Sequence, residues 1–328
     1  AVFISGVIFM ILTISGIRAW LIRGIPKSLQ SAIAAGIGLF LAIIALGTAE
    51  IVVAHPATKV GLGDLTAAPA LFAILGFFLI ATLDALRIRG AILLGVLAIT
   101  LLSMLTGHNT FQGIVSAPPS LAPTFFQLDI PGALHSGFVH IILVLVLVEV
   151  FDATGTLIGV AKRANLIPEG KPNRLGRALF ADSTAIVAGS VLGTSSTTAY
   201  VESASGVQAG GRTGLTALTV AILFLLSLFL APLAGSVPGY ATAPALLYVA
   251  GLMLREIAEI DWNEGTEAIP AALTVIMMPF TYSIANGLAF GFISYVVLKI
   301  LTGRLRDVHP ATLLVAILFV IKYAFFPD

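Results

Sequence analysis

Apolar stretches of about 17 to 25 residues follow one another along almost the whole chain, each long enough to cross about 30 Å of hydrocarbon as a helix. In lipid every backbone N–H and C=O must be satisfied within the protein, which leaves helices and closed barrels as the spanning structures. Segments of about ten residues with alternating polarity, the mark of a membrane barrel, are absent. The chain therefore reads as an all-α polytopic membrane protein. Composition agrees: of 328 residues, 58% are apolar and 10% charged, against about 25% charged in soluble domains. A net charge of +1 argues against a nucleic-acid partner, and the absence of cysteine excludes a disulfide framework or a thiolate metal site.

Spans are expected at 1–17, 29–54, 68–86, 89–106, 133–161, 178–192, 214–235, 241–258, 267–283, 285–302 and 309–326, with a broken segment at 194–209. Basic residues gather at alternate connections: Arg18, Arg23 and Lys27; Arg87 and Arg89; Lys162, Arg163, Lys171, Arg174 and Arg177; Arg212; Arg255; Arg304 and Arg306. The opposite connections, 108–132, 231–240 and 282–287, hold none, and only Lys59 breaks the rule. Lys and Arg are in excess in cytoplasmic loops. The basic side is thus placed inside the cell membrane and the Pro-rich stretch "SAPPSLAPTFFQLDIPG" outside. Asp182, after the basic loop, reads as a helix-start residue, and the acidic run "REIAEIDWNEGTE" as a solvated inner loop.

Two halves of the chain resemble each other. "GVLAITLLSMLTG" (95–107) matches "GFISYVVLKILTG" (291–303) in its first glycine and its closing Leu-Thr-Gly. "APALFAILGFFLI" resembles "IPAALTVIMMPFT", and "IPKSLQSAIAAGIGLFL" resembles "VPGYATAPALLYVAGLM". By the charge rule the span at 29–54 runs outward and its partner at 241–258 inward. An inverted-topology repeat of this kind is the architecture of many secondary transporters. Spans 133–209 have no partner in the first half; the symmetry places roughly 65 to 80 residues, about three spans, before Ala1.

Two segments carry chemistry. In "VLVEVFDATGTLIGVA" (146–161), Glu149, Asp152 and Thr156 share an arc of about 100° on one helix face. A carboxylate at mid-bilayer costs about 2.5–3.5 kcal/mol even on insertion scales, so water, a partner donor or a ligand must compensate on that face. For Glu149 a contact with a neighbouring polar residue would suffice. The second segment, "GSVLGTSSTTAYVESASGVQAGGRTG" (189–214), is too polar for a lipid-facing helix. Residues 194–200 are β-branched and hydroxylated, favouring a strand, and 202–209 allow barely two turns of helix before Gly210-Gly211. A strand followed by a half-helix aims free N–H groups at the bilayer midplane, with Glu202 where the dipole favours a negative charge. A surface hairpin outside the membrane is the other reading of this stretch. A flat heterocycle with ring N–H and amine donors would suit such carboxylates, with Phe151 or Tyr200 stacking on its face.

"VEVFDATGTLIGVAKRA", "GTSSTTAYVESASGVQAGGRTGLTA" and "AEIDWNEGTEAIPA" resemble the purine branch (adenine, guanine, hypoxanthine) of the nucleobase–ascorbate transporters, the xanthine/uracil permease family. The resemblance implies a seven-plus-seven inverted-repeat fold with crossed strand–helix elements in the third and tenth spans. It implies a core domain of 1–24 with 133–236, a gate domain of 25–107 with 238–304, an external connection at 108–132, and an extra C-terminal hydrophobic segment at 305–328. It puts Asp152 and Glu202 in the roles of base-binding and proton-coupling carboxylates, with Glu149 as a third acid. Val201, Thr198 and Ser203 flank them in the base-binding set. Thr156 stands where uracil-transporting relatives carry a histidine tied to proton coupling. The implied activity is import of guanine, hypoxanthine or adenine with protons (Na⁺ remaining open as coupling ion), without cofactor or metal, by a homodimer in the lipid bilayer.

Other classes fit less well. "GLGD" (61–64) and "FD" (151–152) resemble the motifs of intramembrane aspartyl proteases, but in reversed order and with Asp64 in an external connection; the chain does not read as an enzyme. The alternatives within transport are another nucleobase (uracil or xanthine) or an anion on the same fold, and beyond that a channel.

Overall fold

The computed structural model describes residues 1–134, 141–142, 145–146, 149, 157, 175–200, 203–208 and 210–325. Helix α1 (Val2–Ile14) turns at Gly16, whose positive φ of 76° suits glycine, into the short α2 (Ile17–Gly24). There follow α3 (Lys27–Thr48), a hairpin of β1 (Val52–His55) and β2 (Lys59–Leu62), α4 (Ala68–Ala85), α5 (Ala91–Leu105) and the short α6 (Ile130–Leu134). The second half holds α7 (Leu175–Leu192), α8 (Ser203–Gln208), α9 (Gly214–Ser227), α10 (Ala231–Gly235), α11 (Gly239–Met253), α12 (Gly265–Phe280), α13 (Ile284–Leu301) and α14 (Pro310–Phe325). Among the described residues five helical stretches are long and apolar enough to cross a membrane: Lys27–Thr48, Ala68–Ala85, Gly214–Gly235, Gly239–Glu259 and Ile284–Leu301.

The repeat is visible in the packing. Helix α3 packs on α12 as α11 packs on α4, α12 lies on α13 as α4 lies on α5, and α3 meets α11 across the pseudo-axis. Helix ends repeat as well. Gly107 and Gly303 both close their helices with φ above 70°. In each the following N–H reaches back five residues, His108 to Ser103 and Arg304 to Lys299. This is the left-handed glycine stop that frees no carbonyl, and it explains the shared Leu-Thr-Gly.

Without a hydrophobic drive between helices in lipid, close backbone approach at small residues does the packing. Gly287 and Gly291, one turn apart on α13, face α12 where a Cβ would run into Thr274 and Met278. Gly36 on α3 meets the same Thr274–Met278 stretch. A larger apolar cluster runs from Phe9 on α1 through Leu21 and Leu29 to Phe292 and Phe319. It seats α14 against α13 and α2.

Several expectations need correction. The span expected at 29–54 stops at Thr48, and the next residues form the hairpin, registered Val52 to Leu62 and His55 to Lys59; their alternation is short and bounded by the Pro56 turn. The acidic run is not simply a solvated loop. Glu264 caps α12, accepting from the Thr266 N–H at 3.3 Å, and pairs with Arg304 at 3.0 Å. Glu267 pairs with Lys299, 2% exposed, at 3.0 Å. Residues 194–200 form no ladder among the described residues: the Thr194 N–H turns back to the Gly189 carbonyl and the Ser196 hydroxyl donates to Glu149. Arg18 and Asp182 also leave their expected places.

Candidate functional site

The site is built where α1 and α7 lie close together. Gly6 makes this approach possible, since a Cβ there would meet Ile186 at 2.8 Å and Val187 at 3.1 Å. Beyond α7, Gly193 turns the chain with φ of 89°, and residues 194–200 run back along the helix they have just left. Gly189 makes room for them: a Cβ at that position would stand 2.5 Å from the Thr197 hydroxyl and 2.9 Å from that of Thr194. The 121–127 connection covers this end, with the Phe126 N–H donating to the Val191 carbonyl at 2.8 Å.

Glu149 is helical and 6% exposed. One of its oxygens, Oε1, accepts a hydrogen bond from the Ser196 hydroxyl. The other, Oε2, is buried without a hydrogen-bond partner among the described residues, and so is the Thr198 hydroxyl. Buried polar atoms are almost always paired; among the described residues the Arg18 Nε is a third such atom.

Arg18 is fully buried rather than lying in a basic loop. Its Nη2 donates to Asp182 Oδ2 at 3.1 Å and its Nη1 to the Leu179 carbonyl at 3.2 Å. The guanidinium lies 3.8 Å from the centre of the Phe9 ring, a favourable place for a cation. Asp182 sits in the middle of α7, not at its start. The signal for Asp182 was in the sequence. An ionisable side chain inside an apolar helical run needs a buried partner, and "RALFADSTAIVAGSVL" (177–192) is such a run.

Residues 1–290 match the family model Xan_ur_permease, described as "Permease family". The chain belongs to this permease family. As a member it is a multi-pass transport protein of the cell membrane. The permease is 48% identical over 326 residues to "Adenine permease AdeP" of Escherichia coli, a match covering 99% of this chain and 73% of that one. It is 42% identical to "Guanine/hypoxanthine permease PbuG" of Bacillus subtilis, covering 99% of this chain and 74% of that one. Among solved structures it is similar to the transmembrane domain of the cyanobacterial bicarbonate transporter BicA. The TM-score is 0.64 at 17% identity, over 87% of this chain and 74% of that one. The likeness shows a shared fold, the seven-plus-seven inverted repeat expected from the sequence.

In the permease, four of the expected site residues lie within the described structure. Glu149 is bonded to the extended segment through Ser196, Thr198 lies within that segment, Tyr200 is 69% exposed, and Ser203 opens α8 with its N–H on the Tyr200 carbonyl at 3.1 Å. Phe151, Asp152, Thr156, Val201 and Glu202 lie outside the described residues. Ser196, Asp182 and Arg18 join the neighbourhood without having been expected there.

Proposed function

We propose that this permease imports purine nucleobases together with protons, binding the base beside Glu149 and the segment 194–200. The observation that carries the reading is the state of Glu149: a buried carboxylate with Oε1 held by Ser196 and Oε2 open to a donor. A purine supplies such donors at its ring N–H and exocyclic amine, and an ionised acceptor makes the bond a strong one. Relatives named as adenine and guanine/hypoxanthine permeases, 42–48% identical over nearly the whole chain, support purines as the cargo. Arg18 does not turn the site toward an anion, because its charge is already matched by Asp182.

In this reading Asp152 and Glu202 complete the binding set with Glu149, and Phe151 or Tyr200 stacks on the base. Val201, Thr198, Thr156 and Ser203 line the same place. Protonation and base binding together neutralise the buried acids, which lowers the cost of moving them through a low-dielectric interior. The core, 1–24 with 133–236, then moves against the gate, 25–107 with 238–304, in alternating access. The mutual packing of α3, α4, α5, α11, α12 and α13, and the separate pairing of α1 with α7, support that division. A homodimer belongs to the same reading. The amide variants Asp152→Asn and Glu202→Gln, present at the surface in wild-type amounts, are expected to lose proton-coupled purine uptake; wild-type uptake by both would refute the assignment.

A further inference from the structure

In the division given above the chain passes between core and gate at Gly24-Ile25-Pro26 and again at Ser236-Val237-Pro238. The two crossings hold equivalent places in the repeat, since "IPKSLQSAIAAGIGLFL" starts at Ile25 and "VPGYATAPALLYVAGLM" at Val237. Each follows a short helix, α2 or α10, and each proline leads into the next helix from an extended backbone, with ψ of 142° at Pro26 and 155° at Pro238. Proline has no N–H and disfavours helical geometry in the residue before it. The carbonyl two residues before each proline is therefore cut off from a continuing helical ladder and needs a donor from elsewhere.

Both carbonyls receive one. The Ser236 carbonyl accepts from Asn109 Nδ2 at 2.7 Å, and the Ser236 hydroxyl accepts the Gln112 N–H at 2.9 Å. The Gly24 carbonyl accepts from the Thr312 hydroxyl at 2.5 Å. Ser236 and Thr312 are buried. Asn109 follows the Gly107 stop of α5 and Thr312 follows the Gly303 stop of α13, the two ends that share Leu-Thr-Gly. Approach is close at both crossings: a Cβ on Gly24 would stand 2.3 Å from His309 Nδ1, and one on Gly235 2.8 Å from Gln112 Oε1. The donors differ, an amide on the side without basic residues and a hydroxyl on the basic side, so the likeness of the two halves in sequence does not by itself produce the contact.

From this geometry we infer that Asn109 and Thr312 are the pins of the two hinges between core and gate. Both are carried by elements attached to the gate: Asn109 lies four residues beyond α5, and Thr312 sits on α14, which packs on α13. Each pin holds a crossing carbonyl to the gate, so that the core swings about two fixed points. Neither residue belongs to the set assigned to the base. The pins therefore govern the rate of the swing and leave affinity alone. The inference rests on the core-and-gate division of the reading above, not on the identity of the cargo.

Near-isosteric variants of the full-length protein remove each donor: Asn109→Leu and Thr312→Val. Each is expected to lower Vmax for labelled purine per surface transporter about fivefold, the scale of one lost hydrogen bond, with KM unchanged. Thr312→Ser keeps the hydroxyl and should keep the rate. A second readout needs no transport: the distance between nitroxides at Leu223→Cys on α9 and Phe280→Cys on α12, exposed positions in core and gate, as the only cysteines. Its distribution should broaden in the leucine and valine variants and not in the serine one.

Wild-type Vmax in both variants, or a raised KM at constant Vmax, overturns the inference, and so does an unchanged distance distribution. A wild type that takes up no purine sinks the purine reading instead, and the distances then decide the pins. Should Thr312→Val not reach the membrane, Asn109→Leu, at a half-buried site outside the helices, decides by the same two measurements.

Discussion

The hydroxyl of Ser196 donates to the carboxylate of Glu149, 47 residues earlier in the chain. That one bond ties a helical position in the apolar interior to the extended segment after α7, and it leaves the second carboxylate oxygen for another donor. Hydrogen bonds to charged groups contribute about 1.5–3 kcal/mol. Ser196→Ala is therefore expected to raise the KM for purine uptake by about tenfold or more, by that same conversion of binding free energy. Ser196→Thr should restore much of the loss, since the hydroxyl returns. Initial uptake rates, normalised to surface protein, measure both.

Lys299 on α13 is 2% exposed, 3.0 Å from Glu267 and 2.7 Å from the Thr266 hydroxyl. Removing one partner of a buried pair strands the other charge, which costs about 3–5 kcal/mol. Lys299→Met is expected to lower the thermal midpoint of the detergent-solubilised protein sharply. Adding Glu267→Leu should recover most of the loss. A double variant no more stable than the single one would count against a buried pair.

Small residues make the α12–α13 contact. A larger side chain at Gly291 must displace Thr274, and overpacking of this kind costs about 1–3 kcal/mol. Gly291→Leu is expected to destabilise accordingly. Gly251 on α11 has open space around it, so Gly251→Ala should be neutral or stabilising by up to about 1 kcal/mol through helix propensity. Thermal unfolding of the two variants side by side tests the contrast.

The Glu264 cap gives a pH dependence outside the membrane. Hydrogen bonds from Arg304 and then from Thr266 hold its carboxyl at about 2, below the ordinary 4.5. A carboxyl depressed by folding adds stability that is fully present above pH 4.5 and fades as pH falls toward about 2. The midpoint difference between wild type and Glu264→Gln should hold constant from about pH 8 down to about pH 5 and shrink below that. Because the pair is exposed, the difference should be small and should weaken with added salt.

Most of the fold was legible because lipid forbids nearly everything else. Apolar runs placed the helices to within a few residues, and the Leu-Thr-Gly stretches read as part of the repeat end in two helix stops of the same backbone geometry. The site was legible in part. Glu149 stood out as an acid in an apolar run, and the Ser/Thr-rich stretch stood out as too polar for lipid. Arg18 was misread because it lies near a basic loop, where counting charges by side assigns it to solvent, and Asp182 because it was read as a helix-start residue although it sits in mid-helix. Their pairing depends on α1 and α7 meeting at Gly6, a contact across 170 residues of sequence between Thr13 and Ser183. The hairpin at 52–62 was missed because its short strands directly follow a long apolar helix.

The most direct measurement is saturable uptake of labelled hypoxanthine by cells expressing the full-length protein, competed with adenine, guanine, hypoxanthine, xanthine and uracil, with and without a proton uncoupler. The expected result is uptake displaced by purine bases of the adenine, guanine and hypoxanthine set, not by uracil, and abolished by the uncoupler. Uptake that ignores purines, or that uracil or an inorganic anion displaces, would contradict the account.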